Sequence, residues 1–322
     1  MPELPEVETI RRGLSQFIMK KKLTKTTILC DKSFIGEPTV GTVKDIRRFG
    51  KALVIDLDNG KSLMIHLRMT GQLIYDSKDH TAQSAGPLQQ GARYAAGHPS
   101  DNFTDKLPNK QTRVILDFAD YGTLYFNDQR KFGFIKVLPT AEVEHDAFIK
   151  KLAKEPWHMT PDELYEKLQR HKNSCIKPTI LDQTIICGLG NIYADEALFT
   201  AGIHPERKCS TITRKETAAL ISAAKDVMDK SIASGGSTMA TYVKADGTKG
   251  DYLELFAQVF HREGQPCPHC QTPIKKIKVA GRGTHFCPTC QLLAGDRFGG
   301  GPTPSLRGGG GKSGRTRHKE TR

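Results

Sequence analysis

"MPELPEVETIRRGL" (residues 1–14) opens the chain, with prolines at Pro2 and Pro5 and acids at Glu3, Glu6 and Glu8. Pro5 suits the first position of a helix, where its missing N–H removes nothing, and Glu6 and Glu8 suit the positive end of the helix dipole. Val7, Ile10, Leu14 and Phe17 recur at helical spacing, so a helix with one apolar face is expected after Met1–Leu4. From Thr42 to Phe134 the period shifts to two. "LVIDLDNGKSLMIHL" reads as a hairpin about Asn59-Gly60, and "RVILDFADYGTLYFND" as another about Tyr121-Gly122. A helix leading into a β-rich domain is therefore expected over residues 1–139. Polar, turn-rich 76–110 is longer than a compact domain tolerates as a structureless connection, and is expected to be a mobile insertion.

After Pro139 the pattern turns helical, and residues 140–255 are expected to form a second domain. "TPDEL" (Thr160–Leu164) combines an N-cap threonine, a proline at the first position and Glu163 closing a capping box. "CGLGNIYADEALFTAG" (Cys187–Gly202) reads as a turn feeding a helix, with Asn191 suited to cap it. "TRKETAALISAAKDVMDKSIASGG" (Thr213–Gly236) reads as a capped helix stopped by glycines. Residues 256–291 hold a cysteine cluster, and the glycine- and arginine-rich 292–322 are expected to be disordered. The fold class is α+β.

The 48 Lys and Arg against 35 Asp and Glu give a formal charge of +13 and a pI near 9.3, which favours a polyanionic partner such as nucleic acid. The segment Leu306–Arg322 holds six basic residues and one acid, so it carries +5 of that charge and the body stays basic at +8. No apolar run approaches the roughly 20 residues of a membrane helix, and acids stand where a signal peptide places lysines. A cytoplasmic protein with no membrane partner is expected.

Of eight cysteines, Cys30, Cys175, Cys187 and Cys209 are scattered singly, which argues against a disulfide scaffold. "CPHC" and "CPTC" place Cys267, Cys270, Cys287 and Cys290 in a C-x2-C, sixteen-residue, C-x2-C pattern that suits tetrahedral zinc across a hairpin. Four protein ligands leave no open position, so the metal is structural and any chemistry lies elsewhere. Between the pairs, "KKIKVAGRGTHF" offers Arg282 to a phosphate backbone, or holds it as a solvated turn residue.

One chemical reading of the opening stretch starts from the amine. Removing Met1 exposes the secondary amine of Pro2, and an α-amine has a pKa of about 8 against about 10.4 for lysine. Attack on a sugar C1′ gives a Schiff base, and an adjacent acid such as Glu3 can protonate the ring oxygen. The plainer alternative is that the prolines stiffen a leader and the acids serve the helix dipole.

"PELPEVETIRRGL", "HLRMTGQL" (His66–Leu73), "NDQRKFGF" (Asn127–Phe134), "GLGNIYADEALFTAGIHP" (Gly188–Pro205), "GGSTMATYVKADGTKG" (Gly235–Gly250) and "REGQPCPHC" (Arg262–Cys270) together resemble the formamidopyrimidine-DNA glycosylase family. The resemblance spans residues 1 to about 291 apart from the insertion, and "PELPE" points to the purine-lesion branch over endonuclease VIII. It implies an N-terminal β-sandwich domain, a helix-two-turn-helix domain and a zinc-ribbon hairpin holding one structural zinc. It implies a monomeric, nucleoid-associated bifunctional glycosylase and lyase acting on damaged double-stranded DNA. Oxidised purines such as 8-oxoguanine and formamidopyrimidines are excised, and β,δ-elimination follows.

By that resemblance Pro2 is the nucleophile, Glu3 the assisting acid, Lys51 a phosphate contact and proton donor in β-elimination, and Arg282 the group serving δ-elimination. Met69, Arg130 and Phe132 match a wedge that fills the gap left by an everted base, although core packing is the plainer reading for the two apolar ones. Asn191, Lys172 and Lys177 match phosphate-binding positions, for which a cap and solvated lysines are the plainer readings. Lys244, Gly247 and Gly250 belong to a segment resembling the loop that closes over the base. The family usually places a histidine where this chain has Gln111, which can donate a hydrogen bond but cannot acquire charge. A zinc-ribbon nucleic-acid binder without catalysis, and a glycosylase preferring oxidised pyrimidines, are the competing readings.

Overall fold

The computed structural model describes residues 2–78, 93–97, 106–236 and 255–293. Helix α1 (Leu4–Ile18) buries Leu4, Val7, Ile10, Leu14 and Ile18 along one face, as the spacing predicts. It starts one residue earlier than expected, with Glu3 at the N-cap position, and the Glu6 carboxylate accepts the Glu3 amide at 2.7 Å.

Two sheets follow. The first orders β1 (Lys22–Leu23), β4 (Gly41–Phe49), β5 (Ala52–Leu57), β6 (Lys61–His66), β11 (Phe134–Pro139) and β3 (Phe34–Ile35). The second orders β2 (Lys25–Ile28), β9 (Thr112–Phe118), β10 (Gly122–Asp128), β7 (Gly71–Ser77) and β8 (Arg93–Gly97). Leu53, Ile55, Leu63 and Ile65 of the first sheet meet Leu73, Leu116 and Phe126 of the second, with Val7, Ile10 and Leu14 of α1 in the same core. Sheet against sheet, capped by a helix, buries an apolar face from each element. Every residue of β5 is buried, because Ala52 and Val54 on its other face pack with Leu138, Val143 and Ile149. That two-sided burial explains why "ALVIDL" reads as a run instead of an alternation.

The expectation of a mobile insertion over 76–110 needs correction. Asp76 and Ser77 complete β7, and β8 pairs antiparallel with it from Gln72↔Gly97 to Asp76↔Arg93. Arg93 forms an ion pair with Asp76, and the Tyr94 ring packs at 5.5 Å from Phe17 of α1. The flanking polar composition hid a strand of five residues that supplies a sheet edge.

The second domain holds α2 (Pro161–Gln169), α3 (Ile176–Ile180), α4 (Asn191–Thr200) and α5 (Arg214–Ala233). Thr160 with Glu163 and Thr213 with Glu216 form the expected capping boxes. Helix α4 is buried from Tyr193 to Phe199, so it lies inside the domain. Leu4 of α1 joins the same core, so the first turn of the chain is shared between domains. The hairpin β12 (Lys275–Val279) and β13 (Arg282–Phe286) docks on α4, where Phe199, Val259, Cys267, Ile274 and Cys287 form a small core. The Glu196 carboxylate reinforces this dock by accepting the amides of Gln258, Val259 and Phe260 at 2.8–3.0 Å. No helix among the described residues is long and apolar enough to cross a membrane.

Candidate active site

The N-terminus of α4 has glycine at its cap position, Gly190, which has no side chain to satisfy the free amides there. Glu3 supplies the missing acceptor from the other domain. Its carboxylate accepts Gly190 N at 2.8 Å, Ile192 N at 2.9 Å and Tyr193 N at 3.4 Å. A Cβ on residue 190 would stand 2.3 Å from the Glu3 carboxyl carbon, so only glycine admits this approach. Glu3 is 2 % exposed, and that burial pushes its pKa up to about 7, with the nearby Lys51 charge opposing the rise and Glu6 adding to it. Pro2, one residue before, is buried beside it. Glu6 is held in turn by the Tyr193 hydroxyl at 2.5 Å, which also meets Ser231 Oγ at 2.5 Å.

Lys51 follows a glycine turn at the end of β4, and its ammonium donates to the Leu189 carbonyl at 2.7 Å. Burial lowers its pKa, against the pull of Glu3. Gly50 has φ +55, and a Cβ there would meet Cys187 Sγ at 2.4 Å. Glu155 accepts the Gly50 amide at 3.1 Å and pairs with Arg48, which also reaches Glu8 at 3.1 Å. Three arginines gather on Glu8; burial pushes its pKa up, but the hydrogen bonds from Arg11, Arg12 and Arg48 outweigh this and hold it at about 2. The lysine is thus presented from a turn fixed by both domains.

Arg282 is exposed at the start of β13. Lys177 does not stand with it on the surface, which corrects its expected place on a phosphate-binding face. It is fully buried, paired with Asp195 at 2.6 Å, and donates to the Gly283 carbonyl at 3.0 Å and Thr284 Oγ1 at 2.8 Å. Burial lowers its pKa and the Asp195 charge opposes the shift. Asp195 also accepts the His285 amide at 2.9 Å, so the pair staples the arginine's strand to α4. Asn191 likewise is the first helical residue and not the cap, and its amide donates to Gly283 O at 2.9 Å. Removing one partner of a buried pair leaves the other charge uncompensated. Lys177→Met is therefore expected to lower stability by about 3 kcal/mol, as measured by thermal unfolding, with Asp195→Leu in the same chain restoring much of the loss.

Phe132 is 55 % exposed, so core packing does not account for it; Arg130, also exposed, lies 4.9 Å over its ring, and Met69 is half-buried. Gln111 is half-buried, and its carbonyl accepts the Asp128 amide at 2.9 Å. Lys172 is exposed. Lys244, Gly247 and Gly250 lie outside the described residues, as do residues 294–322 of the tail.

The sulfurs of Cys267, Cys270, Cys287 and Cys290 lie within 4.8 Å of one another, with separations of 3.8, 3.4 and 3.5 Å among them. Thiolates at about 2.3 Å from a tetrahedral zinc are about 3.8 Å apart. The four cysteines therefore fit zinc with no further ligand.

Sequence reading missed Glu6, Tyr193, Ser231, Glu155 and Asp195 as parts of this site. Glu6 and Tyr193 lie inside the motifs that flagged their neighbours; Glu155 and Ser231 carry no local signal and are defined only by the packing of distant segments.

Residues 1–135 match the formamidopyrimidine-DNA glycosylase N-terminal domain, residues 152–243 its H2TH domain, and residues 264–292 the zinc finger found in FPG and IleRS. A formamidopyrimidine-DNA glycosylase of Pelotomaculum thermopropionicum is 39% identical over 303 residues, covering 91% of this chain and 100% of that one. One from Gluconobacter oxydans is 37% identical over 304 residues, covering 90% and 100%. Among solved structures, a Lactococcus lactis FPG mutant complexed with a Fapy-dG containing DNA has a TM-score of 0.75 at 32% identity, over 90% of this chain and 100% of that one. The Lactococcus lactis glycosylase non-covalently bound to DNA containing an AP site has a TM-score of 0.73 at 32% identity, with the same coverage. With its β-sandwich, helical domain and four-cysteine hairpin matched in turn, and relatives at 37–39% identity over nine-tenths of its length, this chain belongs to the formamidopyrimidine-DNA glycosylase family, whose members are DNA glycosylases of base-excision repair.

Proposed function

We propose that the chain excises oxidised purines, including 8-oxoguanine and formamidopyrimidines, from duplex DNA through a Schiff base on Pro2, and then cuts the strand by β,δ-elimination. The Pro2 amine, freed by loss of Met1, attacks C1′ of the damaged nucleotide. The C1′–base bond breaks, and the base leaves with the proton that the amine gives up as it bonds to C1′. Glu3, as the acid, delivers a proton to the ring oxygen, so the sugar opens as the iminium form of the Schiff base develops on Pro2. Lys51 donates to the departing phosphate in β-elimination, and Arg282 neutralises the second phosphate in δ-elimination. Met69, Arg130 and Phe132 fill the stack that the base vacates, Lys172 and Gln111 contact phosphates, and Lys244, Gly247 and Gly250 lie in the loop closing over the base. One zinc on Cys267, Cys270, Cys287 and Cys290 holds the hairpin rigid. The protein acts as a monomer at the nucleoid.

The observation that carries this reading is the Glu3 carboxyl, buried next to Pro2 with a pKa of about 7, because a proton donor for neutral pH needs that value. The Fapy-dG duplex bound by the similar Lactococcus lactis mutant supports the substrate class.

Borohydride trapping tests the reading. Incubation with duplexes carrying 8-oxoguanine, formamidopyrimidine or an oxidised pyrimidine, in the presence of reductant, is expected to give a covalent adduct first with the purine lesions. The adduct is expected to vanish in Pro2→Gly and in a protein that retains an N-terminal extension. A binder without catalysis gives no adduct. Mass spectrometry that finds deoxyribose on a lysine would overturn the assignment to Pro2.

A further inference from the structure

Two loops carry the residues of the wedge, and neither is held by regular structure. Met69 lies between β6 and β7, and Arg130 and Phe132 lie between β10 and β11. Both loops contain a non-glycine residue in the left-handed region, Arg68 at φ +51 and Lys131 at φ +58. Such backbones persist only where their surroundings hold them.

The first loop is held locally, where His66 Nδ1 accepts Arg68 N at 3.0 Å and Leu67 O accepts Gly71 N at 2.9 Å, and one buried side chain at the end of β10 ties it to the second. Asp128 is 0 % exposed, and its Oδ1 accepts the Thr70 hydroxyl from the first loop. The same oxygen accepts Arg130 N at 3.1 Å, and Oδ2 accepts Gly133 N at 2.7 Å, so the carboxylate spans the second loop from end to end. Thr70 Oγ1 also accepts Arg130 N at 3.0 Å, closing a ring of hydrogen bonds across the two loops. Behind it, the Arg113 guanidinium donates to the Asp128 carbonyl at 2.7 Å and the Lys110 carbonyl at 3.1 Å, fixing the strand end.

We infer that Asp128 is a positioning residue that locks the Met69 and Arg130–Phe132 loops into a single rigid wedge for base eversion. This rests on the wedge reading above. A wedge compensates for lost stacking only if it is already in place when the base leaves, because ordering two loops at that moment would add to the cost of unstacking. An ionised carboxylate suits the task, since it accepts at every lone pair. An asparagine at the same position would turn an N–H2 group toward either Gly133 N or Arg130 N.

The test compares two duplexes under single-turnover conditions: one with an intact oxidised purine and one with a preformed abasic site, which has no base to evert. A fluorescent base analogue placed beside the lesion reports unstacking. Asp128→Asn is expected to slow excision of the intact lesion about 10- to 100-fold and to delay the fluorescence rise, while cleavage at the abasic site changes by less than about 3-fold. Thr70→Val, which removes the hydroxyl alone, is expected to show the same split more weakly, and it decides the matter if Asp128→Asn does not fold. Phe132→Ala serves as the control. If Phe132→Ala shows the split while Asp128→Asn and Thr70→Val act like the unmodified chain, or slow both duplexes equally, Asp128 is not a positioning residue. If Phe132→Ala itself shows no split, the wedge reading fails and the inference with it.

Discussion

Glu3→Gln is expected to slow excision of an oxidised purine about 10²- to 10⁴-fold, the range associated with loss of a positioned general acid, or about 2.7–5.5 kcal/mol of barrier. The deficit is expected to be smaller on a preformed abasic site, because part of that population already exists as the open aldehyde and needs no proton on the ring oxygen to form the iminium. Parallel single-turnover measurements on the two duplexes check this. Equal loss on both would mean that Glu3 serves only as the cap of α4, for which its bonds to Gly190 and Ile192 are otherwise sufficient reason. The pH profile gives an independent reading. With the folded pKa at about 7, the acid form of Glu3 is present below that value, whereas the neutral amine of Pro2 grows as pH rises toward about 8, so excision should peak between the two and fall on either side, and Glu3→Gln should remove the alkaline limb.

Stability has the same sign. The folded value lies above the ordinary 4.5, so the folded chain binds a proton that the unfolded chain has released over the window between them. The contribution is complete below pH 4.5 and is lost as pH rises through about 7. Across that window, wild-type stability should decline relative to Glu3→Gln by about 3 kcal/mol. Unfolding curves at both ends measure the change whatever fixed cost the glutamine carries at the cap.

The first helix, the two hairpins and the zinc ligands were legible in the sequence because each is set by local chemistry. Val7, Ile10 and Leu14 repeat at helical spacing, Asn59-Gly60 demands a tight turn, and paired cysteines have few other uses. What was not legible depends on contacts between distant segments. Lys177 looks like any basic residue before a proline until Asp195, on another helix, is brought to 2.6 Å. The Glu3 carboxylate was readable as an acid near a helix start. That it caps a different helix, 187 residues away at Gly190, follows only from the joining of two domains. Strand β8 escaped because its neighbours in sequence are polar and because the insertion was drawn from Asp76, inside its partner β7.

Removing zinc, or replacing Cys267 by Ser, is expected to abolish strand incision while leaving the β-sandwich folded. The hairpin is two strands of five residues each, and a lone two-stranded ribbon is marginal in water. Its own apolar core is little more than Val259, Ile274 and Phe199 around the cysteine sulfurs, against roughly 10–16 kcal/mol that a structural zinc contributes to folding such a module. Without metal, β13 should detach from α4, breaking the ties from Lys177, Asn191 and Asp195 and carrying Arg282 away from the site. The sandwich core shares no residue with the hairpin core, so its strands have no reason to follow. Hydrogen exchange can separate the two: after chelation, amides of Lys275–Val279 and Arg282–Phe286 should exchange fast while those of Ala52–Leu57 and Lys61–His66 stay protected. Native mass spectrometry should show one zinc lost per chain, and re-addition should restore incision. Full incision by protein shown to be metal-free would mean that Arg282 is not needed where the hairpin holds it.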